Sequence, residues 1–317
     1  MHNKNDRTLI IPETHAHERL DQVLAKLLPA YSRTQIQAWI EAGQVLVDGH
    51  TSKPKAKVKG GESVFVSVTL KPQPAYTAQA IPLCIVYEDD SLLIINKPVG
   101  LVVHPGAGNA DQTLLNALLH HEPRLHQLPR AGILHRLDKN TSGLLVIAKT
   151  PAALRALSQQ LKKRELLREY QAIVYGRLIS GGTIDAPIGR HAMQRKRMAV
   201  IDTGKPALTH YRIAEKYRHW TRLTVRLETG RTHQIRVHLA HIRHPVVGDV
   251  AYGGRVQLSK GMSDELIHAL RQFKHQALHA FALGLTHPTS GEWLRFEIDL
   301  PDDMQHLISL MQDDLRK

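Results

Sequence analysis

Apolar positions early in the chain follow a helical spacing and then switch to the alternation of strands. Leu20, Val23, Leu24, Leu27 and Leu28 recur on one helical face and stop at Pro29. Ser32 with Gln35 has the form of a capping box and predicts a second short helix, ended by Gly43 in left-handed backbone. The runs VLVDG and ESVFVSV predict short strands, so residues 17–69 form a compact αα-β domain close to the lower size limit for independent folding. Residues 70–80, LKPQPAYTAQA, carry two prolines and no apolar period, and predict an extended linker. Residues 81–317 then form a second, larger domain. Strand-like runs fall at 85–87, 92–96, 144–148, 169–175, 208–214, 223–228, 279–285 and 293–298. Helical patterns are fewer: 151–164, the stretch after Thr232, and 302 to the end. Strands that outnumber helices without alternating with them predict an α+β fold with a mixed, mainly antiparallel sheet.

Composition narrows the partners. No run approaches the roughly 18 apolar residues that cross a bilayer, and the start lacks a long apolar core behind its basic residues, so a cytoplasmic protein without a membrane span is expected. The single cysteine, Cys84, lies in the apolar run IPLCIVYED and is expected to be a small buried hydrophobe. Lys and Arg total 42 against 29 Asp and Glu, a net charge of +13, which makes a polyanion the expected partner. Charge alone does not separate nucleic-acid binding from an ordinary solvated basic surface.

The stretch from Arg19 to Gly49 adds a specific pattern, RLDxxL followed by SRxxxxxxIxxGxVxVDG. This resembles the S4-type RNA-binding module. The resemblance implies that the second helix and the following loop face RNA, with Arg33, Lys53, Lys55, Lys57 and Lys59 along a phosphate track. By charge alone, residues 53–59 read equally as a solvated hairpin loop.

The segment GILHRLDKNTSGLLVIAKT sets His135, Arg136 and Asp138 just before an apolar strand. Thr141, Ser142 and Gly143 suit a rigid turn into that strand. On residue types alone the segment is an exposed turn with an Arg-Asp pair. HRLDxxTSG, however, resembles the signature of the RluA family of pseudouridine synthases, which implies that Asp138 is the nucleophile. Asn140 departs from the family, which usually has Asp there; loop hydrogen bonding is expected to change, not reaction type. REYQAIVYG resembles the family's active-site tyrosine strand and assigns Tyr170. LETGRTHQIRVHLAHIRHPVVGD resembles a later motif, in which Arg236 would pair with the nucleophile and Arg231 would face RNA. INKPVGLVVHPG, with Lys97 and Pro98, resembles a motif that looks structural.

The chemistry implied by this resemblance is self-consistent. Uridine isomerisation breaks the C1′–N1 bond, turns the retained base and joins C5 to C1′ with no net gain of electrons, so no cofactor and no metal are expected. Arg236 would keep a desolvated carboxylate charged, and Tyr170 would stack on the base and assist removal of the C5 proton. Read without the family, Tyr170 is a core strand tyrosine. The base must be flipped out, and the resemblance implies that Arg136 fills the vacated space with His135 beside it on the RNA. Arg190, Arg195, Lys196 and Arg197 are further phosphate candidates by charge.

Other readings set limits. The run His233, His238, His241 and His244 lacks the spacing and the interleaved carboxylates of a metal site. A metal-dependent phosphoesterase would need clustered acids, and Glu88, Asp89 and Asp90 read better as a hairpin turn. A non-catalytic RNA-binding assembly protein would not need the set of Asp138, Tyr170 and Arg236. The C-terminal half resembles the branch of the family acting on bacterial 23S ribosomal RNA, which implies the helix 69 stem-loop as substrate and a monomeric enzyme. Another 23S position or transfer RNA stays open, as does whether Asp138 attacks C1′ or C6 or abstracts a sugar proton.

Overall fold

A computed structural model describes residues 4–28, 31, 33–69, 76–106, 108–194 and 197–316. The chain divides into two compact units, Met1–Ala75 and Tyr76–Lys317. The expected linker lies across this divide, and its residues 70–75 fall outside the described residues, as do Ser32, Arg195 and Lys196.

The first unit runs β1 (Lys4–Ile10), α1 (Leu20–Leu27), α2 (Arg33–Glu41), β2 (Val45–Val47), β3 (His50–Thr51) and β4 (Ser63–Thr69). It therefore takes in β1, ahead of the residues 17–69 read from the sequence, because β1 pairs along its whole length with β4 in a sheet ordered β1-β4-β2-β3. Leu20, Val23 and Leu24 of α1 and Ile36 and Ile40 of α2 close the core over that sheet. Removing such fully buried side chains from water contributes about 2 kcal/mol each. Gly43 ends α2 at φ +70°. Residues 53–59 are tied to the start of α1 by Leu20 N–H to Ala56 O (2.8 Å) and Val58 N–H to Glu18 O (3.0 Å). Val58 is buried, whereas Lys53, Lys55, Lys57 and Lys59 are exposed, the first two at a turn closed by Ala56 N–H to Lys53 O (2.9 Å).

The second unit continues with β5 (Ile85–Glu88), β6 (Leu92–Lys97), α3 (Leu114–His121), β7 (Ser142–Ala148), α4 (Pro151–Lys163) and β8 (Leu167–Tyr175). Three short strands follow, β9 (Gly182–Asp185), β10 (Ile188–Arg190) and β11 (Met198–Val200). The chain ends with β12 (Leu208–Lys216), β13 (Trp220–Leu227), α5 (Gln234–His241), α6 (Asp264–Gln272), β14 (Leu278–Thr286), β15 (Trp293–Glu297) and α7 (Asp302–Arg316). Among the described residues one sheet is ordered β5-β6-β7-β14-β8-β13-β12-β9, with β15 on β14. Only β7 with β14 is parallel among these pairings, so the sheet is mixed and mainly antiparallel. No helix among the described residues is long and apolar enough to cross a membrane.

Alternation along β6 and β7 sorts their apolar side chains onto two cores. Leu93, Ile95, Leu145 and Ile147 join the face with α3 and α7, whereas Leu92, Ile94, Leu144 and Val146 pack with α4. Glu88, Asp89 and Asp90 do form a turn: Asp89 Oδ1 accepts the backbone N–H of Ser91 and Leu92. Cys84 is exposed, not buried, because β5 is an edge strand and its flank has no neighbour on the outer side.

Candidate active site

The loop before β7 is held from beneath. Lys97, fully buried at the end of β6, donates from Nζ to the carbonyls of Pro98 (2.6 Å), Leu101 (2.9 Å) and Lys139 (3.1 Å). Three bonds satisfy all three ammonium protons. Burial still pulls Lys97 down to about 8, with nearby Asp138 acting in the opposite sense. Thr141 is buried and accepts Gln276 Nε2–H (3.0 Å), and Ser142 Oγ meets His279 Nδ1 (2.8 Å). Gly143, at φ +116°, lets β7 approach β14 so closely that a Cβ would lie 2.3 Å from Ala280 O.

This frame presents Asp138 half-buried at a cleft of about 420 Å3, together with Arg136, Asn140, His104, His233 and Arg236. Arg236 comes from α5 and donates Nη1–H to Asp138 Oδ2 at 2.8 Å. Its other edge is bound to Asp249, Nε to Oδ2 at 2.6 Å and Nη2 to Oδ1 at 2.9 Å. Burial alone would lower the Arg236 pKa, but the carboxylates of Asp249 and Asp138 outweigh it and raise the value. The guanidinium also lies 5.0 Å from the centroid of Tyr252, a cation-π contact. Tyr252 Oη accepts Met198 N–H (2.9 Å) and meets His233 Nδ1 at 2.7 Å. If that hydroxyl donates, His233 Nε2 carries its proton toward Asp138 Oδ1, 3.8 Å away. Burial lowers the His233 pKa, which favours this neutral form.

Tyr170 lies on β8 and is 5% exposed within the main core. Burial raises its phenol, with Arg168 lowering it and Asp138 raising it further. The ring is not part of the cleft wall in this conformation. At neutral pH it is a protonated phenol, and therefore a poorer proton acceptor than the sequence suggests.

The comparisons with known proteins fit this geometry. Residues 91–241 match a family model described as RNA pseudouridylate synthase, and residues 18–64 match the S4 domain. Over 308 residues, 97% of this chain and 93% of the relative, the chain is 52% identical to ribosomal large subunit pseudouridine synthase D of Xanthomonas campestris pv. campestris. The chain belongs to the RNA pseudouridylate synthase family. The protein of the same name from Escherichia coli (strain K12) is 52% identical over 98% of this chain and 95% of its own length. Among solved structures, human RNA pseudouridylate synthase domain containing 4 aligns at a TM-score of 0.57 and 25% identity, over 72% of this chain and 93% of its own.

Within the pseudouridylate synthase framework, the expected residues fall into three groups. Asp138, Arg236 and Arg136 meet at the cleft, with Arg136 exposed. His135 is turned into the protein: Nε2 accepts Val146 N–H (3.4 Å), and burial followed by Arg168 pushes its pKa down to about 3. A neutral ring holding β7 is poorly suited to contact phosphate. Arg231 donates Nε–H to Pro206 O (3.1 Å) from a half-buried position. In the first unit, Arg33 donates twice to Asp21 Oδ2 (3.0 and 2.8 Å), and Arg19 also binds that carboxylate. Burial would raise Asp21, but hydrogen bonds from Arg19, Gln37 and Arg33 outweigh it and bring the value to about 2. Arg33 thus neutralises a buried acid before it can serve RNA, whereas Lys53, Lys55 and Lys57 stay exposed. Arg197 lies 5.1 Å from the Tyr252 centroid, and Arg190 is exposed on β10.

Sequence reasoning missed Asp249, Tyr252 and Gln276. None sits in a periodic segment, and only the VGD that closes the quoted Arg236 motif pointed near them, with no role attached to its Asp249. The histidine run does not converge. His238 binds Thr209 Oγ1 and Ala186 O at 2.9 Å each, and His244 Nδ1 donates to Tyr175 O at 2.8 Å.

Proposed function

We propose that this protein isomerises specific uridines to pseudouridine in large-subunit (23S) ribosomal RNA, at the helix 69 stem-loop. It acts as a cytoplasmic monomer without metal or organic cofactor. The observation that carries the reading is the 2.8 Å pair of Asp138 with Arg236 at the mouth of the cleft, with Arg236 clamped from behind by Asp249. The 52% identity to large-subunit enzymes supports the choice of RNA.

A flipped uridine enters the cleft while exposed Arg136 takes its place in the stack, at a cost of a few kcal/mol that phosphate contacts offset. Asp138 retains its charge because Arg236 accompanies it into the less polar site. Its carboxylate engages the nucleoside, the C1′–N1 bond breaks, the base turns, and C5 bonds to C1′. Tyr170, protonated, offers its ring to the base after a small opening of the cleft; its hydroxyl takes the C5 proton while passing its own to water, and the freed N1 takes one proton up from water, so none is gained or lost overall. Neutral His233 steadies the far carboxylate oxygen.

The test deletes the gene, maps pseudouridines across ribosomal and transfer RNA, and complements with wild type and Asp138→Asn. Loss confined to helix 69, restored by wild type alone, is the expected result; turnover by the variant should fall at least about 1000-fold. Loss at another RNA would replace the substrate, and full restoration by the variant would remove Asp138 as nucleophile.

A further inference from the structure

The second cavity of the larger unit, about 340 Å3, shares no lining residue with the active-site cleft. Its wall includes Tyr175, Arg177, Arg218, His219, Trp220 and Gln257. Tyr175 lies five residues beyond Tyr170 on β8, about 17 Å along the strand and on its opposite face.

Three features give it the character of an anion site. Arg177 and Arg218 are both exposed, and neither takes part in an ion pair among the described residues. Trp220 is fully buried, yet its indole Nε1–H has no acceptor; His219 Nε2 is likewise buried without a partner. Buried polar groups are almost always satisfied, so two orphans in the residues of one cavity wall, one of them an obligate N–H donor, call for a ligand or water to meet them. The frame is also rigid. Gly176 N–H donates to His219 O (2.8 Å), Thr221 Oγ1–H to Gly176 O (2.8 Å), and Leu178 N–H to Thr221 Oγ1 (3.1 Å). These bonds lock the segment carrying Arg177 to the turn carrying Arg218, so little ordering is left for binding to accomplish.

We propose that this cavity binds a phosphoryl group. Two guanidiniums on separate backbone segments and an indole N–H, joined by His219 when its Nε2 carries the proton, suit a tetrahedral oxyanion, whose several oxygens accept from different directions. A planar carboxylate would be satisfied by one guanidinium fork. The phosphoryl group comes either from the RNA backbone away from the target uridine or from a small phosphorylated ligand.

The test uses the full chain labelled with 15N and follows the indole N–H signals of its three tryptophans. Trp220 is assigned with Trp220→Phe, and Trp39 and Trp293 report on fold. Inorganic phosphate at millimolar concentration should move the Trp220 signal in the wild type and leave it unmoved in Arg177→Ala/Arg218→Ala. These exposed side chains can be removed without loss of packing. If an unmodified ribosomal stem-loop also moves it, and the double variant binds that RNA several-fold more weakly with a salt slope smaller by about one, the source is the RNA backbone. If phosphate moves it but RNA neither moves it nor binds more weakly to the variant, the source is a small ligand. A Trp220 signal unmoved by both, or moved equally in the double variant, would overturn the proposal.

Discussion

Arg236 holds two carboxylates with one guanidinium, and they are not equivalent. Asp249 is 1% exposed at its side chain and takes two bonds, whereas Asp138 is 15% exposed and takes one. Asp249 therefore fixes the arginine and leaves Asp138 free to move toward a substrate. Asp249→Asn should leave a buried cation undercompensated and cost about 3–5 kcal/mol in urea unfolding. Turnover should fall about 100-fold through loss of alignment, with RNA affinity little changed. Lys97 gives a prediction in pH. Its value is about 8 in the folded chain against 10.5 for the free side chain, so between these limits the unfolded chain binds more protons. The penalty for burying its charge is fully present below pH 8 and is relieved as pH rises toward 10.5. Wild-type stability relative to Lys97→Met should accordingly rise across that window, by on the order of 3 kcal/mol, when unfolding is measured at both ends. A flat difference would show that Lys97 stays charged.

The elements that position these residues depend on close backbone approach, and Gly143 is the clearest instance. It sits where β7 and β14 run parallel, and a Cβ would meet Ala280 O, N and C at 2.3, 2.6 and 2.7 Å. Gly100 also has positive φ, +87°, but faces open space. Gly143→Ala should cost about 3 kcal/mol or more and displace the Asp138 loop, whereas Gly100→Ala should cost about 1 kcal/mol, from strain alone. Unfolding curves of the two variants separate steric approach from backbone strain. All eight strand-like runs of the larger unit are strands, because alternation reports burial locally. β1 was not legible: KNDRTLI has little apolar content, and its strand state comes from pairing with β4 about sixty residues later. α3 had a readable start, since Thr113 and Asn116 form its capping box, but LLNALLHH is apolar on too many sides to show one face. α6 was missed although Ser263 accepts Leu266 N–H at its start, because its two buried leucines are too few for a visible period. At the site, Asp138, Arg236 and Arg136 were legible through motifs. Asp249 and Tyr252 were not, because their roles arise from where the loop after α5 returns.

At the scale of the whole molecule, the net charge of +13 is divided between two tasks. In the proposed reading the larger unit takes the flipped nucleotide into a cleft where Asp138 and Arg236 are already paired, so geometry decides the rate there. The first unit offers the exposed lysines Lys53, Lys55, Lys57 and Lys59, on a segment held at the start of α1 by backbone bonds. Ammonium groups of this kind release counterions from RNA without reading its sequence, so they act on affinity and not on chemistry. Replacing all four by Ala should raise KM for the ribosomal stem-loop at least tenfold near physiological salt and leave kcat within about twofold. The slope of log affinity against log salt should shrink by about one for each lysine that meets a phosphate. Because none of the four packs in the core, thermal unfolding should be unchanged, which excludes damage to the fold as the cause. A fall in kcat with KM unchanged would mean instead that this unit orders the catalytic cleft, and the division of labour between the two units would have to be abandoned.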